Sequence, residues 1–149
     1  MKIYFATDHA GFELKNILVE YVKTLGFEVE DCGAKSFDKE DDYPDFIKLP
    51  AKAVSLDPIS SKAIVLGGSG QGEAIVSNRL PSVRAVVYYG GNLEIIKLSR
   101  EHNDANVLSL GARFLTDDEA KEAVKLWLDT PFSDDERHLR RIQKIDMVE

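Results

Sequence analysis

Short apolar runs alternate with amphipathic stretches along the whole of this chain, and no other feature constrains its fold as much. Ile3-Tyr4-Phe5-Ala6 reads as a buried strand. Leu14, Ile17, Leu18, Tyr21, Val22 and Leu25 then recur at helical spacing, and Gly26 supplies a stop. Phe27 to Glu30 alternates as a half-covered strand near a sheet edge does. After Tyr43-Pro44-Asp45 a helix is predicted to run to Ser55, although Pro50 argues against its continuity. Ala63–Leu66, Arg84–Tyr88 and Asn106–Leu110 complete five strands, with intervening helices through Asn78 and from Leu93 to Glu101. Thr116-x-x-Glu119 and Ser133-x-x-Glu136 read as capping boxes that open two closing helices. Strands alternating with helices imply a parallel sheet covered on both faces, in one α/β domain spanning residues 1–149.

Composition narrows the function classes. The 149 residues are 44% hydrophobic and 30% charged, enough to bury a core without disulfides or metals. Nineteen basic residues against 26 acidic ones give a net charge of −7, which argues against a nucleic-acid-binding surface. The single cysteine, Cys32, rules out an internal disulfide framework and a multi-cysteine zinc site. It suits a reducing compartment, so a cytoplasmic location is expected. No apolar run approaches the ~20 residues of a membrane span. Asp8 and His9 follow the first strand too early for a signal peptide, so no membrane association is expected.

In open parallel sheets, ligands bind beyond the carboxyl ends of the strands, where the chain switches face. Polar and glycine residues concentrate in four such segments: Thr7–Gly11, Gly67–Gly72, Tyr89–Asn92 and Gly111–Arg113. The run Gly67-Gly68-Ser69-Gly70-Gln71-Gly72 can turn tightly and aim several N–H groups at one anion. Its spacing fits neither the dinucleotide fingerprint nor a P-loop. A tight strand–helix turn without ligand is the alternative reading. Glu73 follows in the first helical turn, where a glutamate ordinarily only complements the helix dipole. Beside oxyanion donors, however, a carboxylate is what proton abstraction alpha to a carbonyl requires. Ser69 would then move a proton between neighbouring oxygens.

Asp8 and His9 end the first strand, and His102 with Asn103 closes the fourth helix. Histidine is the usual proton carrier near neutral pH, and a structural role is the other reading of His102. The three histidines show no metal-ligand pairing, so no metal site is expected. Arg137, His138, Arg140, Arg141 and Lys144 make the last helix basic, and Arg137, Arg141 and Lys144 share one face. That face is either solvated or a phosphate clamp, with Arg113 as its companion.

Taken in order, Asp8-His-Ala-Gly11, Asp42-Tyr-Pro44, Gly67–Glu73, Ser77-Asn-Arg79, Arg84-Ala85, Arg100–Asp104 and Arg137-His-x-x-Arg141 resemble the type B ribose-5-phosphate isomerases. Their wider family includes allose-6-phosphate and galactose-6-phosphate isomerases. The resemblance implies a Rossmann-like three-layer α/β/α sandwich, a five-stranded parallel sheet beginning in the order 2-1-3, and no metal or organic cofactor. It also implies a homodimer, in some members paired into tetramers, with active sites shared between subunits and the C-terminal helix (about 134–147) reaching the partner. By the same resemblance His102 would open the sugar ring, with Asp8, Tyr43 and Asn103 on the sugar. Gly67, Gly68, Gly70, Gln71 and Gly72 would hold the enediolate with the aid of Ser69. His9, Arg113, Arg137, His138 and Arg141 would gather the phosphate, the last three from the partner chain. Many members place a catalytic cysteine where this chain has Gly67; a second subset uses a glutamate at the position of Glu73, as this chain would.

The function this implies is interconversion of ribose 5-phosphate and ribulose 5-phosphate by proton transfer. Three alternatives stand beside it: a six-carbon sugar phosphate as substrate, a non-catalytic phosphate-binding module, and a metal-dependent hydride shift.

Overall fold

A computed structural model describes residues 1–148. Five strands, β1 (Lys2–Thr7), β2 (Glu28–Asp31), β3 (Ser61–Gly67), β4 (Ala85–Tyr88) and β5 (Val107–Gly111), form one parallel sheet. Its order is β2-β1-β3-β5-β4, so the expected start is present and the far edge is now placed. Period-two alternation sorts the strand side chains between two cores. Ile3, Phe5, Ile64, Leu66, Leu108 and Leu110 enter the larger one, under α1 (Phe12–Thr24), α4 (Glu94–Asn103) and α5 (Asp117–Asp129). The smaller residues Ala6, Ala63, Val65 and Val107 face α2 (Tyr43–Leu56) and α3 (Gln71–Ser77). The result is the three-layer α/β/α sandwich.

Two local expectations need correction. Pro50 does not interrupt α2, which runs unbroken through it. Its ring lies on the buried stripe with Ile47, Ala51 and Val54, and that burial offsets the lost backbone hydrogen bond. The Thr116–Glu119 capping box forms as expected, but the one at Ser133 does not. Asp135 caps α6 (Glu136–Ile145) by accepting from the Arg137 amide at 2.9 Å. The Ser133 hydroxyl donates instead to the Glu101 carbonyl at 2.6 Å, fastening the approach to α6 onto α4. No helix among the described residues is long and apolar enough to cross a membrane.

Candidate active site

β1 and β3 are neighbours whose connections leave on opposite faces, so their terminal loops open a crevice between them. The loop after β5 closes its far side. Asp8, His9, Tyr43, Gly68, Ser69, Gly72, Glu73 and Arg113, with Ala10 and Phe114, line the resulting cleft of about 560 Å³.

Backbone carbonyls of the glycine loop are turned toward β5. Gly67 accepts from the Ala112 amide at 2.8 Å, Gly68 from the Arg113 amide at 3.1 Å, and Gly70 from the Ser109 hydroxyl at 2.6 Å. Gly70 sits at φ 78° against the β5 backbone, a conformation and a closeness that a side chain would not permit. With the carbonyls so engaged, amides of the loop and of the first α3 turn remain as donors without intrahelical acceptors.

Glu73 stands in that first turn and is only 4% exposed. Its carboxylate folds back over the loop. A Cβ built on Gly67 would lie 1.9 Å from the Glu73 Oε1, so the glutamate fills the space of a residue-67 side chain. Burial raises the Glu73 pKa and the Asp8 charge adds to the rise, while its own backbone N–H opposes it. A carboxylate shifted toward neutrality beside amide donors is equipped to take a proton from carbon.

The other lining residues have separate anchors. Tyr43 opens α2 and lays its ring over Gly72. Arg113 follows β5 and packs its guanidinium against Gly68. Asp8 is buried, and its Oδ1 accepts from the Ala10 amide at 2.9 Å. Ser69 is exposed at the rim; Gln71 is exposed and does not line the cleft. His9 donates from ring Nδ1 to Asp41 Oδ1 at 2.7 Å. Asp41 escaped the sequence reading because it lies in the acidic run Asp38–Asp42, which resembles an ordinary solvated loop. Its one signal was position, two residues ahead of Tyr43. Asp8, His9 and Asp41 also present donor atoms within 4.8 Å of one another, the only such group of three found among the described residues.

Five residues of the expected site lie elsewhere. His102 and Asn103 occupy the last turn of α4, where the Arg84 Nε donates to the Asn103 carbonyl at 2.9 Å. α4 returns from the end of β4 to the start of β5, so this turn sits at the opposite end of the sheet from the cleft. The five residues of β5 intervene, a span of roughly 17 Å at strand rise. α6 packs there too. His138 is buried and stacks on His102 with ring centroids 4.3 Å apart and planes at 16°. Burial, and then the neighbouring His102, hold the His138 pKa down. Arg137 and Arg141 are exposed beside it. One chain therefore carries two clusters, and its own fold keeps them apart.

Comparison with known proteins agrees with this architecture. The sequence profile of the "Ribose/Galactose Isomerase" family matches residues 3–145. Ribose-5-phosphate isomerase B of Mycobacterium tuberculosis is 42% identical over 142 residues, covering 95% of this chain and 86% of that protein. The crystal structure of ribose-5-phosphate isomerase B from Mycoplasma genitalium with bound ribulose-5-phosphate superposes with a TM-score of 0.93. It is 38% identical, over 98% of this chain and 94% of that one. The enzyme of the same name from Clostridium thermocellum gives a TM-score of 0.91 at 39% identity, covering 99% and 96%. The profile match across nearly the full length, with this level of identity, makes the chain a member of the ribose/galactose isomerase family.

Proposed function

We propose that this chain is an aldose–ketose isomerase that interconverts ribose 5-phosphate and ribulose 5-phosphate through a cis-enediolate. The observation that carries the reading is the Glu73 carboxylate, buried over the glycine loop in the space a side chain on Gly67 would need. In the forward direction Glu73 removes the C2 proton of the opened aldose, and the electron pair moves through C1 onto O1. Amides of the Gly67–Gly72 loop stabilise that oxyanion. Ser69 carries a proton from O2 toward O1, Glu73 returns a proton to C1, and the carbonyl is left at C2. Asp8 and Tyr43 hold the sugar, and His9 with Arg113 holds the phosphate. No metal or organic cofactor enters these steps.

In this reading His102, Asn103, Arg137, His138 and Arg141 act on the cleft of a partner subunit. Their clustering at the far end of the sheet supports it, since a two-fold pairing would close two sites at once. His102 would open the sugar ring there, and α6 would reach the neighbouring chain. Residues 1–149 would work as one domain in the cytoplasm, in a dimer or a pair of dimers.

Turnover of ribose 5-phosphate in deuterated water tests the chemistry. Proton transfer places solvent deuterium in the recovered sugar, whereas unlabelled product would indicate a hydride shift and overturn the mechanism. Failure to convert any sugar phosphate would leave only a binding module. Parallel kcat/KM measurements should favour ribose 5-phosphate over allose 6-phosphate, and the reverse order would move the assignment to six-carbon substrates.

Gly67 gives a second test. The atoms nearest to a methyl group there belong to the carboxyl end of the Glu73 side chain, the flexible end that can move aside. Gly67→Ala should therefore melt close to the wild-type temperature yet lose about 10²-fold in kcat, the penalty for misplacing a reacting group by about 1 Å. Unchanged kcat would mean that the carboxylate position is irrelevant to turnover.

A further inference from the structure

Asp41 is an acidic side chain put to unusual use. Its Oδ1 accepts twice from one residue, from the His9 backbone amide at 3.1 Å and from the ring Nδ1 at 2.7 Å. The side chain is 9% exposed, and its Oδ2 is buried without a hydrogen-bond partner. Its neighbours Glu40 and Asp42 are exposed. Burying a carboxylate with one oxygen unsatisfied costs stability, so retaining it calls for a return elsewhere. Phe37, from the same connection between β2 and α2, sets its ring at 88° to that of His9 with centroids 6.1 Å apart. The loop thus grips the imidazole at one edge and leaves the cleft to the other.

We infer that Asp41 is a positioning residue: it fixes the tautomer and orientation of His9 and supplies the negative partner of a ring turned toward the phosphate of the substrate. The inference rests on the sugar-phosphate reading of the cleft. With Nδ1–H committed to Asp41, Nε2 is the nitrogen left for a ligand oxygen, and a charged ring makes both nitrogens donors. The pKa of His9 is raised chiefly by the Asp41 hydrogen bond, and Asp8, whose Oδ2 lies 3.7 Å from Nδ1, adds to the rise. Desolvation and Arg113 act against it. Glu73 lines the same cleft as His9, and Glu13 and Asp117 line the neighbouring pocket that His9 also borders. The folded-state pKa exceeds the ordinary 6.5, so His9 stays charged above the pH at which an isolated histidine would discharge.

The test reads His9 directly, by nitrogen-edited NMR of the ring across pH, before any substrate is added. In the wild type the neutral ring should be the Nδ1–H tautomer, and an Nε2–H tautomer would overturn the proposal without any variant. In Asp41→Asn the His9 titration should move to lower pH. KM for ribose 5-phosphate should rise roughly tenfold, the size of a lost charge-assisted hydrogen bond. That rise should be larger at pH 8 than at pH 6, with kcat little changed, and Asp41→Glu should recover part of it. A His9 titration that stays in place, or a KM penalty equal at all pH values, would reduce Asp41 to a loop anchor and overturn the proposal. Bleaching of the His9 resonances by stoichiometric Mn²⁺ would assign the cluster to a cation instead, also against it. If the wild type turned over no ribose 5-phosphate, the functional reading of the cleft would fail, while the tautomer and titration would still decide the Asp41–His9 coupling.

Discussion

Glu73→Gln chains should bind sugar phosphate and scarcely turn it over, with kcat lower by ~10²–10⁴-fold, the usual contribution of a general base. The amide keeps the shape and burial of the carboxylate but cannot accept a proton from carbon. KM should change little, because the loop amides, Tyr43 and Arg113 are untouched. Near-normal turnover would remove Glu73 from the chemistry. The wild-type acid limb of kcat/KM should also lie above the pH at which an exposed glutamate titrates, since burial and Asp8 raise the Glu73 pKa from 4.5. The same shift has a stability consequence of defined sign. A carboxyl whose folded-state pKa is raised holds its proton more tightly in the fold than in the unfolded chain. Its favourable contribution is complete below the unfolded pKa and is lost as pH rises through the folded one. Glu73→Gln should therefore match the wild type in acid and melt higher than it at pH 8. Thermal melts of both chains across that range check the sign, and a variant that melts lower at pH 8 would contradict it.

Mixing two inactive chains should restore activity. If each cleft takes Glu73 from one subunit and Arg141 from its partner, a heterodimer of Glu73→Gln and Arg141→Ala has one doubly impaired site and one intact site. Random exchange of equal amounts would leave about a quarter of all sites intact, as two-fold symmetry requires. The separation within one chain, from the last turn of α4 across the length of β5 to Arg113, is the structural reason to expect this. Activity no greater than the sum of the two parents, with heterodimers demonstrated by mass, would return the arginines to a solvated face. His102→Asn in place of Arg141→Ala should complement equally well, since His102 lies with α6 rather than in the cleft.

Much of this architecture was legible in the residues, and the gaps have physical causes. Buried strands such as Ile3–Ala6 and Ala63–Leu66 announce themselves because both of their faces are covered. The capping box at Thr116 satisfies two backbone donors locally, so it can be read locally. Ser133 has the same spacing, but the Glu101 carbonyl of α4 captures its hydroxyl, and no window around Ser133 contains Glu101. Pro50 misleads in the opposite sense, since its penalty is local and the compensating burial comes from the sheet. The order of β5 and β4 was invisible because both strands are short and apolar, and pairing is a non-local choice. Within the site, residues directly after strands were easy to find. Asp41 was not, because it acts through a histidine 32 positions away. That His102 and Asn103 lie at the opposite end of the sheet from the glycine loop was implicit in their place at the close of a helix just ahead of β5, since every strand of a parallel sheet starts at the same end.

The shared volume between Gly67 and Glu73 also bears on how such an enzyme could change over generations. A thiol at one position and a carboxylate at the other would compete for a single space, and a chain with neither would lack a proton acceptor. Exchange of one chemistry for the other would therefore pass through a chain that is crowded at that space or that lacks a base there. Lineages would be expected to settle on one solution and inherit it, with the small residue and the acid drifting as a coupled pair.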